Sequence, residues 1–319
     1  MNNILISVII PLYNKEHFIA KTVNSVLNQT FQDFEIIIVE DCSTDTSKSI
    51  AYSIVSDKIK IIEHEKNKGL SAARNTGIKA AKSDYIAFLD ADDIWKEGFL
   101  EKISSLIINF PEAGLYATNY IEQYPNNVFI KPVSNLKKNK ITDVIIADFF
   151  ESSLSQNIYY PSSLCVKKEV FEEVGYYDIN IKFGEDIDFN IRANSQYKLA
   201  YSFEALSINI MYSDSKMTHS SLKDKPITNF NKYEPWTKKN ISLKKYLDFN
   251  RYIMANNYKK QNLYEEYKEL VAEINPDPKI SGLNYKQYLL LKLPSFILRL
   301  IGKIKRYLLY KGIFINSYN

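Results

Sequence analysis

Three acidic clusters carry most of the chemistry that this sequence offers. Glu40 and Asp41 close one apolar run, Asp90-Ala91-Asp92-Asp93 closes another, and Glu185, Asp186 and Asp188 stand at a helix start. The middle cluster says most. The run Tyr85-Ile86-Ala87-Phe88-Leu89 delivers three carboxylates within four residues into the loop beyond it. Carboxylates that close repel one another, and a divalent cation with hard oxygen ligands is the common compensation. Mg²⁺ or Mn²⁺ held by one or two carboxylates usually takes phosphate oxygens at its remaining positions. The pattern therefore points to nucleotide chemistry.

A second group of candidates surrounds these acids. Pro11-Leu12-Tyr13-Asn14 ends a β-branched run and sets an aromatic ring where a nucleobase can stack. Such stacking contributes about 1–3 kcal/mol per base in nucleic-acid systems; the plainer alternative is a tyrosine packed over its turn. Asp41 could accept from a base N–H or ribose hydroxyl, or simply favour the start of the next helix. Asn67 to Asn75 puts Gly69, Ser71, Ala72 and Ala73 ahead of Arg74. Small residues allow close backbone approach and Arg74 can reach a diphosphate, although an Ala-rich packing helix reads the same way. The loop has no second glycine, so phosphate loops of the Walker and dinucleotide-binding kinds are not expected. Asp186 is the candidate general base and Glu185 its neighbour orienting acceptor or loop, while the helix dipole alone would also favour acids there. His17, His64 and His219 form no HxxxH or HxH pair, so no zinc site is expected. Cys42 and Cys165 show neither CxxC spacing nor a disulfide framework, which assigns the chain to a reducing cytosol.

The elements that must position these residues alternate along the first half. Strands are expected over 4–10, 35–39, 59–62 and 85–89, with helices over 18–28, from the caps at 43–45 to about 55, over 70–81 and over 97–108. Continuous apolar strands separated by helices predict a mostly parallel sheet covered on both faces. Ligands then bind beyond the carboxyl ends of the strands, where Tyr13, Asp41 and Asp90 to Asp93 all fall. Residues 116–157 read as polar and irregular; a strand is expected over 162–166, a helix from 185, and helices from 229 onward.

At 319 residues with 45% hydrophobic and 24% charged composition, the chain is a folded α/β protein with a smaller appendage. Met1 to Ile10 is too short for a signal peptide, and no stretch is apolar enough to predict a membrane span. The net charge of +4 is unevenly spread: no Asp or Glu follows Asp277, where eight Lys and Arg do, leaving residues 1–277 at −4. Between Pro294 and Lys311, Phe296, Leu300 and Ile304 share one side, and Arg299, Lys303 and Arg306 recur at +4 and +3 on another. An amphipathic basic helix suits an anionic membrane surface, or packs on the body with a solvated basic face. The acidic remainder argues against nucleic acid as a partner.

Read in order, Ser7 to Asn14, Glu35 to Asp45, Asn67 to Asn75, Phe88 to Asp93 and Gly184-Glu185-Asp186 closely resemble the family 2 glycosyltransferases of the GT-A fold, across about residues 4–220. The resemblance implies a GT-A domain over 1–225, with a nucleotide-binding half over 1–115 and an acceptor half over 116–225, followed by a helical region over 226–319. It implies inverting transfer of a sugar from a UDP-sugar to a hydroxyl of a glycan or lipid-linked acceptor, with Mn²⁺ or Mg²⁺, in bacterial surface polysaccharide or lipopolysaccharide synthesis. The expected location is cytoplasmic, peripheral to the inner face of the cell membrane. Carried over by position, Pro11 and Tyr13 line the uracil site, Asp41 binds the base, and Arg74 and Glu16 lie near the nucleotide. Asp90 faces the ribose, Asp92 binds the metal, and Asp186 removes the acceptor proton. Members of this group often carry a His after the base. The stretch Ile210 to Thr218 lacks one, so either His219 or Asp214 completes the metal site or that ligand is absent. Two other readings compete: a sugar nucleotidyltransferase, which would want a Gly-rich loop after the first strand, and a nucleotide-sugar-binding protein without catalysis.

Overall fold

The β-branched runs of the first half become parallel strands in the computed structural model, which describes residues 4–132, 134–136, 143–213 and 221–311. β1 (Ile6–Leu12), β2 (Phe34–Glu40), β3 (Ile59–Glu63) and β4 (Tyr85–Phe88) lie in the order β3-β2-β1-β4, all parallel. The register pairs Leu12 with Glu40 and Ile9 with Phe88. Tyr13, Asp41 and the Asp90 loop therefore leave the sheet along one edge, as the strand ends require.

Side chains alternate across the sheet, so each strand feeds two cores. Ile9, Ile37 and Phe88 face one side, with Ala73 and Ile78 of α3 (Leu70–Ala80). Val8, Ile10, Ile36 and Ile38 face the other, with Val23 of α1 (Ile19–Leu27) and Ile103 of α4 (Phe99–Asn109). The short α2 (Ser47–Ser53) bridges β2 and β3. Gly77 lets α3 press on β1: a Cβ there would stand 2.4 Å from Cγ2 of Ile9.

Beyond β4 the sheet turns mixed. β5 (Ile94–Trp95) pairs antiparallel with β10 (Leu199–Ile210), and β6 (Leu115–Tyr124) runs parallel to β10. β7 (Val128–Ile130) and β8 (Asp143–Ile145) add short antiparallel edges, and β9 (Leu164–Lys167) lies antiparallel between β4 and β6. The stretch expected to be irregular from 116 thus opens with a central strand. Tyr, Thr, Asn and Gln interrupt the aliphatic residues there, so β6 lacks the apolar run that marks β1 and β2, yet its first four residues are all buried.

The helices α5 (Phe149–Ser152), α6 (Lys168–Val174) and α7 (Glu185–Asn194) complete the second half. The C-terminal region is helical as expected: α8 (Glu234–Thr237), α9 (Ile241–Lys260), α10 (Tyr264–Ala272), α11 (Pro278–Ser281), α12 (Tyr285–Lys292) and α13 (Ser295–Tyr310). α9 serves two cores. Tyr246, Leu247 and Met254 join the core that holds Phe149 and Phe189, while Phe249 and Tyr252 gather Leu283 and Leu291. Among the described residues no helix is long and apolar enough to cross a membrane.

Candidate active site

At the carboxyl edge of the sheet lies a cavity of about 690 Å³ whose walls include Pro11, Tyr13, Asp41, Arg74, Asp90, Asp92, Glu185 and Asp186. Residues scattered over 176 positions thus meet in one place because β1, β2 and β4 end there and α3 and α7 begin there. α9 closes the far wall with Asn250, Ile253 and Met254. The ring of Tyr13 is well exposed at the rim.

Asp41 organises one end. Its Oδ1 accepts from the Lys68 N–H at 2.8 Å, and its Oδ2 from the Gly69 N–H at 2.7 Å. Nδ1 of His64 lies 2.7 Å from Oδ1, and Nε2 of His64 lies 2.9 Å from the Thr76 hydroxyl. The buried Asp41 carboxylate therefore holds the 67–69 loop onto β2 while its residue lines the cavity. Glu40, beside it, accepts from the Cys42 and Ser43 N–H groups at 3.2 and 2.5 Å and keeps the turn in shape.

The acidic loop after β4 divides by role. Asp93 turns inward, accepting from the Ser162 hydroxyl at 2.6 Å and the Ile210 N–H at 3.1 Å. The Thr22 hydroxyl, the polar member of the buried face of α1, donates to the carbonyl of Asp93 at 2.8 Å. So anchored, the loop presents Asp92 to the cavity, where its Oδ2 meets Nζ of Lys15 at 2.9 Å and the hydroxyl of Ser213.

Arg74 joins the loop to the third cluster. Its side chain is fully buried; Nη2 donates to Asp90 Oδ1 at 2.9 Å and Nη1 to Glu185 Oε1 at 2.8 Å. Its guanidinium also lies over the Tyr177 ring, 5.2 Å from the centroid. Burial works against the charge, but Asp90 and Glu185 more than offset it and raise the Arg74 pKa above its ordinary value. Asp186 follows immediately, at the first turn of α7 behind Gly184, whose φ of +79° sets the entry. Burial, reinforced by the Glu185 carboxylate and opposed by Arg74, pushes the Asp186 carboxyl up to about 6. A carboxylate so placed is a base of near-neutral strength in a cleft, the condition that general-base catalysis favours. Asp188, the remaining acid of the cluster, faces away. It binds Arg192 at 2.8 Å and the Tyr233 hydroxyl, tying α7 to the start of the C-terminal region.

Two expected residues stand apart. Glu16 is not in the cavity wall; its carboxylate accepts from the N–H and hydroxyl of Thr46, at 3.0 and 2.6 Å, which hold its pKa below the ordinary value. His219, like Asp214, lies outside the described residues. Sequence reasoning passed over Lys15, His64 and Ser213. Lys15 was legible: it stands two residues after Tyr13 in the same turn. His64, directly after β3, was weighed only as a zinc ligand, whereas it buttresses Asp41.

Among the described residues no three His, Cys, Asp or Glu side chains gather into a complete ligand set for a metal. Asp92, with Asp90 two residues before it, nonetheless offers hard oxygen donors of the kind a divalent cation takes from its protein, and the donor set fits an ion that draws its other ligands from elsewhere.

The chain spans about half the length of the curated relatives it matches. The uncharacterized glycosyltransferase EpsJ of Bacillus subtilis is 32% identical over 196 residues, covering 59% of this chain and 56% of that protein. The Escherichia coli UDP-Glc:alpha-D-GlcNAc-diphosphoundecaprenol beta-1,3-glucosyltransferase WfgD is 39% identical over 108 residues, 34% of this chain and 43% of that one. Among solved structures, residues 1–349 of S. aureus TarS in complex with UDP-GlcNAc superpose with a TM-score of 0.66, covering 97% of this chain and 88% of that one at 18% identity. At that identity the likeness is one of fold. Residues 7–174, more than half the chain, match the family model described as glycosyl transferase family 2, and the chain belongs to that family.

Proposed function

We propose that this protein is an inverting glycosyltransferase that moves a sugar from a UDP-sugar to a hydroxyl of a glycan or lipid-linked acceptor in bacterial surface polysaccharide or lipopolysaccharide synthesis. One observation carries the reading. A carboxyl pushed up to about 6 by burial shares a cavity with an exposed tyrosine ring, an arginine–carboxylate bridge and a two-carboxylate loop. That combination suits a base at one end and a nucleoside diphosphate at the other. The donors named for the WfgD and TarS proteins, UDP-Glc and UDP-GlcNAc, point the same way.

In this reading uracil stacks on Tyr13 beside Pro11 and Asp41, and Asp90 meets the ribose. Asp186 takes the proton of the acceptor hydroxyl as its oxygen bonds to the sugar's anomeric carbon. The bond from that carbon to the diphosphate breaks on the opposite face, and its electron pair leaves with UDP. Single displacement inverts the configuration. General-base assistance of this kind is worth roughly 10²–10⁴-fold in rate. Asp92 would hold Mn²⁺ or Mg²⁺, which when bound neutralises charge on the leaving diphosphate. Glu185 and Arg74 are positioning residues that fix Asp186 relative to the donor loop. A peripheral place on the inner face of the cell membrane would bring a lipid-linked acceptor to the cavity.

The test is a panel of UDP-sugars offered with lipid-linked and free glycan acceptors. Products should carry the anomeric configuration opposite to the donor's by NMR. Retained configuration, or no calorimetric binding of UDP, would remove the proposal.

A further inference from the structure

Helix α13 carries a face that the rest of the described chain leaves open. Phe296, Leu300, Ile304 and Tyr307 follow one another at spacings of four, four and three, so they form one row, and each is half or more exposed. Only Ser295 and Leu298 of this helix are buried. Arg299 donates through Nη1 to the Lys260 carbonyl at 3.1 Å and to Asn262 Oδ1 at 2.9 Å, which fixes the first turns of α13 to the end of α9. Beside the apolar row run the cations of Arg299, Lys303 and Arg306, and no acid follows Asp277 in the sequence.

We infer that this face docks on an anionic lipid bilayer, with the apolar row among the headgroups and the cationic row against lipid phosphates. Charge selects this occupant. A second copy packed face to face about a two-fold axis would set the same cations against one another, with no carboxylate on either helix to neutralise them. Nucleic acid would satisfy the cations and leave the apolar row in water. Only an anionic membrane interface offers both an apolar layer and negative charge to a helix lying in its plane. The inference rests on the proposed function only for the reason to be at a membrane, namely an acceptor carried there; the docking itself requires no sugar transfer.

The full chain should co-sediment with vesicles of phosphatidylcholine and phosphatidylglycerol, not with phosphatidylcholine alone, and less well at raised salt. Replacing the apolar row (Phe296→Ser, Leu300→Ser, Ile304→Ser) or reversing charge (Lys303→Glu, Arg306→Glu) should each weaken binding at least about tenfold. Circular dichroism and UDP affinity should be unchanged in both variants, since neither touches the cavity. Equal binding to neutral vesicles, or undiminished binding by either variant, would overturn the inference. So would a dimer in sedimentation that the apolar-row variant dissolves, because a second copy would then be the occupant. If the parent chain sediments with anionic vesicles yet fails to bind UDP, the sugar-transfer reading fails and the docking stands.

Discussion

Replacing Asp186 by Asn tests the base assignment without any substrate. The rise of its pKa from the ordinary 3.8 to about 6 means that the folded cavity disfavours the carboxylate relative to water. At about 1.36 kcal/mol per pKa unit, the effect is about 3 kcal/mol. The sign follows from proton linkage. Between pH 3.8 and about 6 the folded chain keeps a proton that the unfolded chain has lost, so this residue's contribution is complete below 3.8 and gone above about 6. Asp186→Asn has no such proton. In urea denaturation at a series of pH values, the variant should gain on the parent by about 3 kcal/mol as pH rises from about 3 to about 7. Above pH 6 the charged cavity carboxylate is then a cost that the active site imposes on stability, and the variant should be the more stable protein there. Transfer activity should fall by roughly 10²–10⁴ in the same variant. A stability difference that stays flat across this range would refute the reasoning, because it would place Asp186 in water with an ordinary pKa.

The neighbouring contacts give three further expectations. Arg74→Met leaves the buried Glu185, and the partly exposed Asp90 beside it, without their partner, and should destabilise the fold by about 3 kcal/mol in denaturant titration. Because Arg74 opposes the rise at Asp186, the acid midpoint of kcat/KM in that variant should move upward. Chelation should weaken UDP binding by the parent at least about tenfold and leave Asp92→Asn, already weak, unaffected in calorimetry; metal-indifferent binding by both would remove the ion from the proposal. Gly77→Ala should cost about 1–3 kcal/mol, and less when introduced into an Ile9→Ala background, since the added methyl would meet Cγ2 of Ile9, which that change removes.

How much of this could be read from the chain depends on where each residue's reason lies. β1, β2 and β4 are legible because strands buried on both faces must be continuously apolar, and their carboxyl ends follow from direction alone. That placed Tyr13, Asp41 and the Asp90 loop together before any coordinates. β6 is not legible. Polar and aromatic residues interrupt its apolar ones, and its membership of the sheet comes from pairing with β9 and β10, which lie 40 or more residues further along the chain. The wall supplied by Asn250, Ile253 and Met254 was hidden for a similar reason: nothing local in α9 says which of its faces meets the cavity. Arg74 lies in the cavity wall, but its partners are not legible. Sequence spacing suggested a free cation aimed at a diphosphate, whereas packing against Tyr177 directs it to two carboxylates.

The three acidic clusters also share a division of labour that only contacts reveal. In each, one acid is consumed by the scaffold: Glu40 by the turn N–H groups, Asp93 by Ser162 and Ile210, Asp188 by Arg192 and Tyr233. The acids beside them line the cavity, namely Asp41, Asp92 with Asp90, and Asp186, and Asp93 reaches the wall as well as the scaffold. The pairing has a physical basis. A carboxylate that accepts backbone N–H bonds fixes the local chain direction, and the next side chain is then aimed without a search through rotamers of the loop. Asp41 does both, since it also holds the 67–69 loop. Scaffold acids should therefore fail first in stability and cavity acids first in function. On that criterion Asp93→Asn is a folding variant and Asp92→Asn a binding one, although one peptide bond separates them.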